Sequence, residues 1–187
     1  MTSTSSIYVP EMARLAEVRP LTELEKYFKI ELPNDKNLGH DPGQFVMLSI
    51  PGVGEAPISI SSSPSRSNGS FELCVRNVGD VTGALHRMEP GQLVGIRGPY
   101  GYGFPIERMR GRDMLFAPGG LGLAPLRSLI NQVLDERGTF GRVMILYGAK
   151  RPAELLFRDE LDEWAARDDV EFHVTVDRAE DGWEGNV

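Results

Sequence analysis

The stretch Pro118-Gly119-Gly120-Leu121-Gly122-Leu123-Ala124-Pro125 constrains this chain more than any other part of it. It follows directly on a short apolar run, Met-Leu-Phe-Ala at 114–117. It opens directly into 123–137, where Leu126, Leu129, Ile130, Val133 and Leu134 recur at helical spacing. The first run reads as a strand buried on both faces and the second as an amphipathic helix. Glycines between them permit a sharp turn and a close approach of backbone to a ligand. The helix that follows aims its free N–H groups and its positive end at an anion. Pro125 suits a first helical turn, where its missing N–H would have had no partner. An ordinary tight turn would use the same glycines, but placement between strand and helix favours a nucleotide phosphate. The pattern is G-x-G-x-x-P, not the usual dinucleotide fingerprint. The next strand, 143–147, runs into Tyr147-Gly148-Ala149-Lys150-Arg151, with no carboxylate for a ribose hydroxyl. Those cations suit a 2′-phosphate or the adenosine, and equally a solvated surface.

A second amphipathic helix is marked by Phe157, Leu161 and Trp164, and a third strand by 170–176. Strand–helix–strand–helix–strand implies parallel strands with right-handed crossovers. The carboxylates Asp159-Glu160 and Asp162-Glu163 read as the solvated face of that second helix. Before residue 110 the character differs. Candidate strands at 12–19, 27–31, 44–50, 57–61, 70–77 and 92–97 are punctuated by Gly and Pro. Phe71, Leu73 and Val75 alternate with Glu72, Cys74 and Arg76, the period of a half-buried strand. A short helix with Thr82 as its cap follows Gly79-Asp80-Val81, another candidate phosphate site, and Pro90-Gly91 ends it. The expected fold is an antiparallel β-barrel over 1–110, followed over 111–187 by a parallel, doubly wound α/β unit of three strands.

Composition narrows the function. A net charge of −7 argues against nucleic acid and against an anionic membrane surface. The one cysteine, Cys74, cannot by itself build an iron–sulfur cluster or a cysteine zinc site. No apolar run approaches the roughly 20 residues of a membrane span. Residues 1–7 lack a leader signature, so a cytoplasmic protein is the simplest reading. His40, His86 and His173 are scattered, and no G-x-S-x-G elbow is present.

Several motifs in order carry a resemblance: Pro42-Gly43-Gln44-Phe45, Ala56-Pro57-Ile58-Ser59, Cys74-Val75-Arg76, Gly79-Asp80-Val81-Thr82, Gly98-Pro99-Tyr100-Gly101 and the loop at 119–125. Together they resemble the ferredoxin–NADP reductase superfamily over nearly the whole chain. Within it the chain looks most like the gamma subunits of nickel–iron sulfhydrogenases, with cousins in anaerobic sulfite reductase and in the electron-transfer subunit of dihydroorotate dehydrogenase. The resemblance implies FAD against Ala56, Pro57, Ile58 and Ser59, with Ser59 near the flavin N5 as the catalytic contact. Cys74, Val75 and Arg76 would touch the rest of FAD, and Gly79, Val81 and Thr82 its pyrophosphate. NAD or NADP would lie on Gly119, Gly120, Leu121, Gly122 and Pro125, and on Tyr147, Gly148, Ala149 and Lys150. The implied reaction is hydride transfer between nicotinamide and flavin, with single electrons passed to an iron–sulfur partner of the hydrogenase or reductase type.

Many members have an arginine and a tyrosine where Ala56 and Ile58 stand, so Arg76 is expected to carry more of the anion binding. The chain also stops at Val187, before the Cys-Gly motif and the cysteine cluster of such proteins. It is therefore expected to be truncated, with any [2Fe–2S] centre in a missing segment or in a partner. Its strand at 114–117 is expected to remain an apolar edge. The competing expectation is a non-catalytic flavin-carrying or docking module. Yellow protein bleached by NADH supports the redox subunit, and yellow protein that does not bleach supports the module.

Overall fold

The computed structural model describes residues 8–180 and 182–187, so the leader question, which concerns residues 1–7, lies outside the described residues. Six strands, β1 (Glu11–Pro20), β2 (Glu25–Glu31), β3 (Phe45–Ile50), β4 (Gly54–Ser59), β5 (Ser70–Arg76) and β6 (Leu93–Tyr100), form one antiparallel sheet in the order β4-β3-β6-β1-β2-β5. The sheet rolls until its ends meet. Ile60 bridges Leu73, and the Ser61 N–H donates to the Glu72 carbonyl at 2.8 Å. Phe71, Leu73 and Val75 face inward with Leu15, Phe28, Ile30, Val46 and Leu48, as their alternation requires.

Two of the motifs have a structural use. Gly43 sits at φ +95°, and a Cβ there would lie 2.8 Å from the Phe104 ring. The Gln44 side chain donates to the Gly101 carbonyl at 2.9 Å, and the Phe104 N–H to the Pro42 carbonyl at 2.8 Å. The turn before β3 and the loop after β6 are thereby locked together, and the Phe104 ring packs against the apolar core of the following half.

The short helix α1 (Asp80–His86) follows β5. Its cap differs from the expected one: Gly79 is the N-cap, and Thr82 is the third helical residue. The Thr82 hydroxyl accepts from the N–H groups of Val78 and Gly79 at 3.0 and 2.9 Å, fixing the turn from inside the helix. The chain leaves the barrel through α2 (Ile106–Met109).

Beyond it, β7 (Met114–Phe116), α3 (Leu123–Asp135), β8 (Val143–Ala149), α4 (Arg158–Ala165) and β9 (Glu171–Val176) alternate, and the strands pair in parallel in the order β7-β8-β9. Both crossovers advance in one direction, so right-handedness puts both helices on one face. Val143, Ile145, Tyr147 and Ala149 point into that face, against Ile130, Val133, Leu161 and Trp164. β7 is the edge strand, as expected, but it is not buried on both faces: Leu115 is 64% exposed. Past β9 the chain turns back, and Asn186 bridges Thr175 in parallel.

The two sheets are welded along the serine-rich 59–67 segment. The Ser128 hydroxyl on α3 donates to the Ser62 carbonyl at 2.6 Å, the Ser63 hydroxyl donates to Gln132 at 3.0 Å, and Arg66 forks onto Asp135 at 2.7–3.1 Å. Helix α3 is thus covered on two sides, which explains why its polar Arg127, Ser128 and Asn131 are buried. Tyr27 and Cys74 of the barrel join the apolar core of the α/β half. Cys74 is buried for that reason, although alternation along β5 turns it away from the barrel. Glu160 also departs from its expected place. It does not lie on a solvated face but ion-pairs with the buried Arg127.

Candidate functional site

Two clefts open on the same side of the weld. The first, about 310 Å³, lies between the barrel wall and the start of α3. Ala56, Pro57, Ile58 and Ser59 supply one wall, and Cys74, Val75, Arg76 and Thr82 continue it. Leu121, Ala124 and Pro125 face them. The second, about 700 Å³, is floored by Gly119, Gly120, Leu121 and Gly122 and by Gly148, Ala149 and Lys150 at the end of β8. Leu121 and Arg76 line both, so the two spaces are contiguous.

The Ser59 hydroxyl makes no hydrogen bond among the described residues, leaving it free for a ligand in the first cleft. Cys74 is fixed as a neutral wall. Burial, and then the Glu25 charge, push its thiol up to about 12. Arg76 is 38% exposed and gives its Nε to Glu25, a carboxylate only 4% exposed. Glu25 also accepts from the Thr22 hydroxyl, which takes the N–H groups of Leu24 and Glu25 at 3.1 Å each. This hairpin holds the Arg76 stem while its two terminal NH₂ groups make no hydrogen bond among the described residues.

Three expected contacts lie elsewhere. Tyr147 is wholly buried and lines neither cleft. Its hydroxyl accepts from the Leu156 N–H at 3.2 Å and donates to the Gly120 carbonyl at 3.4 Å, bracing the loop from beneath, and burial raises its pKa to about 12. The Val81 side chain packs on the barrel core, so only its amide, at the start of α1, is available. Gly79 likewise offers no lining side chain, and its N–H is already spent on Thr82.

The glycines mark room for a ligand. Gly119 and Gly122 have unstrained backbones, and a Cβ on either would meet nothing within 4 Å. Neither conformation nor packing requires glycine there, so the space in front of them is open to a ligand. Gly120 differs, with φ +51°. With the uncommitted Ser59 hydroxyl and Arg76 fork, the residues present fit a dinucleotide in each cleft.

Leu24, Val78, Glu154 and Asp177 also line the clefts, beyond the residues that the motifs indicate. Asp177 follows the carboxyl end of β9, the edge at which parallel sheets bind ligands, so its position carries a signal. Leu24 and Glu25 carry none; a hairpin far away in sequence brings them in.

This is the arrangement of an oxidoreductase built from a flavin half and a nucleotide half. Residues 12–104 match the oxidoreductase FAD-binding domain and residues 116–187 the oxidoreductase NAD-binding domain. The chain is 45% identical over 152 residues to sulfhydrogenase 2 subunit gamma of Pyrococcus furiosus, covering 80% of this chain and 52% of that protein. It is 42% identical over 185 residues to sulfhydrogenase 1 subunit gamma of the same organism, covering 95% and 62%. The chain therefore spans between half and two thirds of the length of those two subunits. With ferredoxin–NADP reductase B of Sorangium cellulosum it shares 33% identity over 182 residues, covering 94% and 73%. Among solved structures, the CS-b5R domains of human Ncb5or superpose with a TM-score of 0.81 at 20% identity, over 94% of this chain and 54% of that one. Phthalate dioxygenase reductase gives 0.75 at 19%, over 92% and 54%. At that identity the likeness concerns the fold. The chain belongs to the ferredoxin–NADP reductase superfamily, with sulfhydrogenase gamma subunits among its relatives, and carries an FAD-binding and an NAD-binding oxidoreductase domain.

Proposed function

We propose that this chain is an electron-transfer subunit in which residues 1–110 hold FAD and residues 111–187 hold NAD(P)H, passing electrons to an iron–sulfur partner of a hydrogenase- or reductase-type complex. The observation that carries the reading is the sharing of Leu121 and Arg76 by two clefts of dinucleotide character. Ligands in the two would meet across one wall. FAD, when bound, supplies two-electron acceptance and one-electron release.

The residues do the rest. Ala56–Ser59 would form the bed for the ring, with the Ser59 hydroxyl free to donate. The NH₂ groups of Arg76 would take a phosphate while Glu25 keeps the guanidinium in place. Gly119 and Gly122 would admit the pyrophosphate of the nicotinamide nucleotide, with Lys150 beside its adenosine end. Leu121, Pro57 and Ile58 would exclude water between the two. Cys74, buried and protonated, makes a poor metal ligand, which directs the iron–sulfur role to a partner.

Anaerobic titration of the FAD-loaded chain with NADH and with NADPH tests this. Bleaching of the yellow chromophore is expected, with one nucleotide preferred. A chain that takes up FAD yet stays yellow with both would instead be a flavin-carrying docking module.

A further inference from the structure

Arg127 has no part in the expected site, yet it is the most completely enclosed guanidinium among the described residues, its side chain 7% exposed. It reaches three elements at once. Its Nε donates to both Glu160 oxygens on α4 at 2.9 and 2.8 Å. Its Nη1 donates to Glu72 on β5 at 2.7 Å and to the Ser61 carbonyl at 3.1 Å. Its guanidinium carbon lies 4.3 Å from the Phe157 ring centre. The second Glu72 oxygen accepts from the Tyr27 hydroxyl at 2.9 Å.

The positions of the partners matter more than their number. Glu72, Cys74 and Arg76 share one face of β5, because side chains in a strand repeat every second residue. Cys74 and Arg76 on that face line the first cleft. Arg127 is three residues beyond Ala124, one helical turn below the Leu121–Ala124–Pro125 wall that faces them. The Arg127–Glu72 bond therefore spans the two walls just beneath the cleft floor. Its planar fork fixes an angle as well as a distance, which a lysine ammonium cannot do. The other contacts along the weld lie at residues 62–66 and 128–135, farther from the cleft-lining residues in sequence.

We propose that Arg127 is a positioning residue that sets the spacing of the two walls of the flavin cleft. This rests on the flavin reading of that cleft. The node carries two carboxylates against one guanidinium, so Arg127→Met alone strands buried charge and would unfold the chain for reasons unrelated to spacing. The informative variant is the triple Glu72→Gln/Arg127→Met/Glu160→Gln, which removes all three charges together and so leaves no uncompensated buried charge. Arg127→Lys keeps the charge and loses the fork.

Each variant and the wild type are to be melted, titrated with FAD, and recorded by visible circular dichroism at saturating FAD, where the spectrum reports the walls around the ring independently of affinity. The triple variant is expected to melt within a few degrees of wild type, to bind FAD at least tenfold more weakly, and to give an altered visible spectrum. Arg127→Lys is expected to follow in the same direction by about fivefold. Wild-type FAD affinity with an unchanged spectrum in either variant would overturn the proposal. A wild-type chain that takes up no FAD would refute the flavin reading itself, at the first titration and before any variant is compared.

Discussion

Gly122→Ala is predicted to move stability and ligand binding in opposite directions. The residue has φ −60° and ψ −16°, ordinary helical values, and its missing Cβ would meet nothing within 4 Å. Alanine therefore fits without strain and restricts the unfolded chain, which stabilises by about 0.4–1 kcal/mol. For a protein of this size that is roughly 1–4 °C in melting temperature. The same methyl group enters the space kept open between the glycine loop and a pyrophosphate. Displacing the phosphate by that much sacrifices at least one charge-assisted hydrogen bond, about 1.5–3 kcal/mol. NADH or NADPH affinity should then fall roughly 10- to 100-fold, at 1.4 kcal/mol per decade. Gly120→Ala is the contrasting control. At φ +51° alanine is strained by about 1–2 kcal/mol, so melting should drop by roughly 2–8 °C. Scanning fluorimetry reads the first quantity and isothermal titration with each nucleotide the second, while bound FAD is followed by absorbance and should stay unchanged in Gly122→Ala. A stabilised Gly122→Ala protein that binds nucleotides as tightly as wild type would refute the assignment of the loop. A destabilised one would refute the reading of its open space.

Arg76→Ala should weaken FAD retention by about 1.5–3 kcal/mol, measured by dialysis against free flavin, and should also lower the melting temperature because buried Glu25 keeps only Thr22. Unchanged flavin affinity would exclude Arg76 from phosphate binding. Stability should fall as pH rises. Burial raises Cys74 from 9.0 to about 12 and Tyr147 from 10.0 to about 12, so the folded chain keeps protons that the unfolded chain releases. That stability is complete below about pH 9 and is lost progressively towards pH 12, by up to about 1.4 kcal/mol per pH unit for each group. Melting curves at pH 8–11 check it; a flat profile above pH 9 would contradict the burial of these groups, and Cys74→Ala should flatten its early part.

Local chemistry makes the elements readable. Period-two alternation places β5, and the strand–glycine–helix run places β7 and α3 with the loop between them. The segments 56–59, 74–76 and 119–125 are legible as a site because each is continuous in sequence. The residues that sequence reasoning misses are those whose role depends on assembly. Glu160 looks like any helix carboxylate until α3 brings Arg127 to it. Tyr147 lies two residues before the end of β8, beside the glycine loop, where it reads equally well as a ligand contact or a brace, and only the third dimension places its hydroxyl under Gly120. Thr82 suits a cap by residue type, but Gly79 takes the N-cap place and Thr82 reaches back to it from within the first turn. The serine run has the look of low complexity and is the surface on which α3 sits.

The position of β6 has a consequence for how the molecule is made. It is the last barrel strand to be synthesised, and it lies in the middle of the sheet, between β3 and β1. Until residue 100 has left the ribosome, the earlier strands can form only two pieces, β3 with β4 and β1 with β2 and β5, joined only where residues 60–62 meet β5. Each presents an open row of amide and carbonyl groups where β6 belongs, and joining them closes loops of several dozen residues, which is slow. The nascent chain is therefore most vulnerable to intermolecular strand pairing just before β6 emerges.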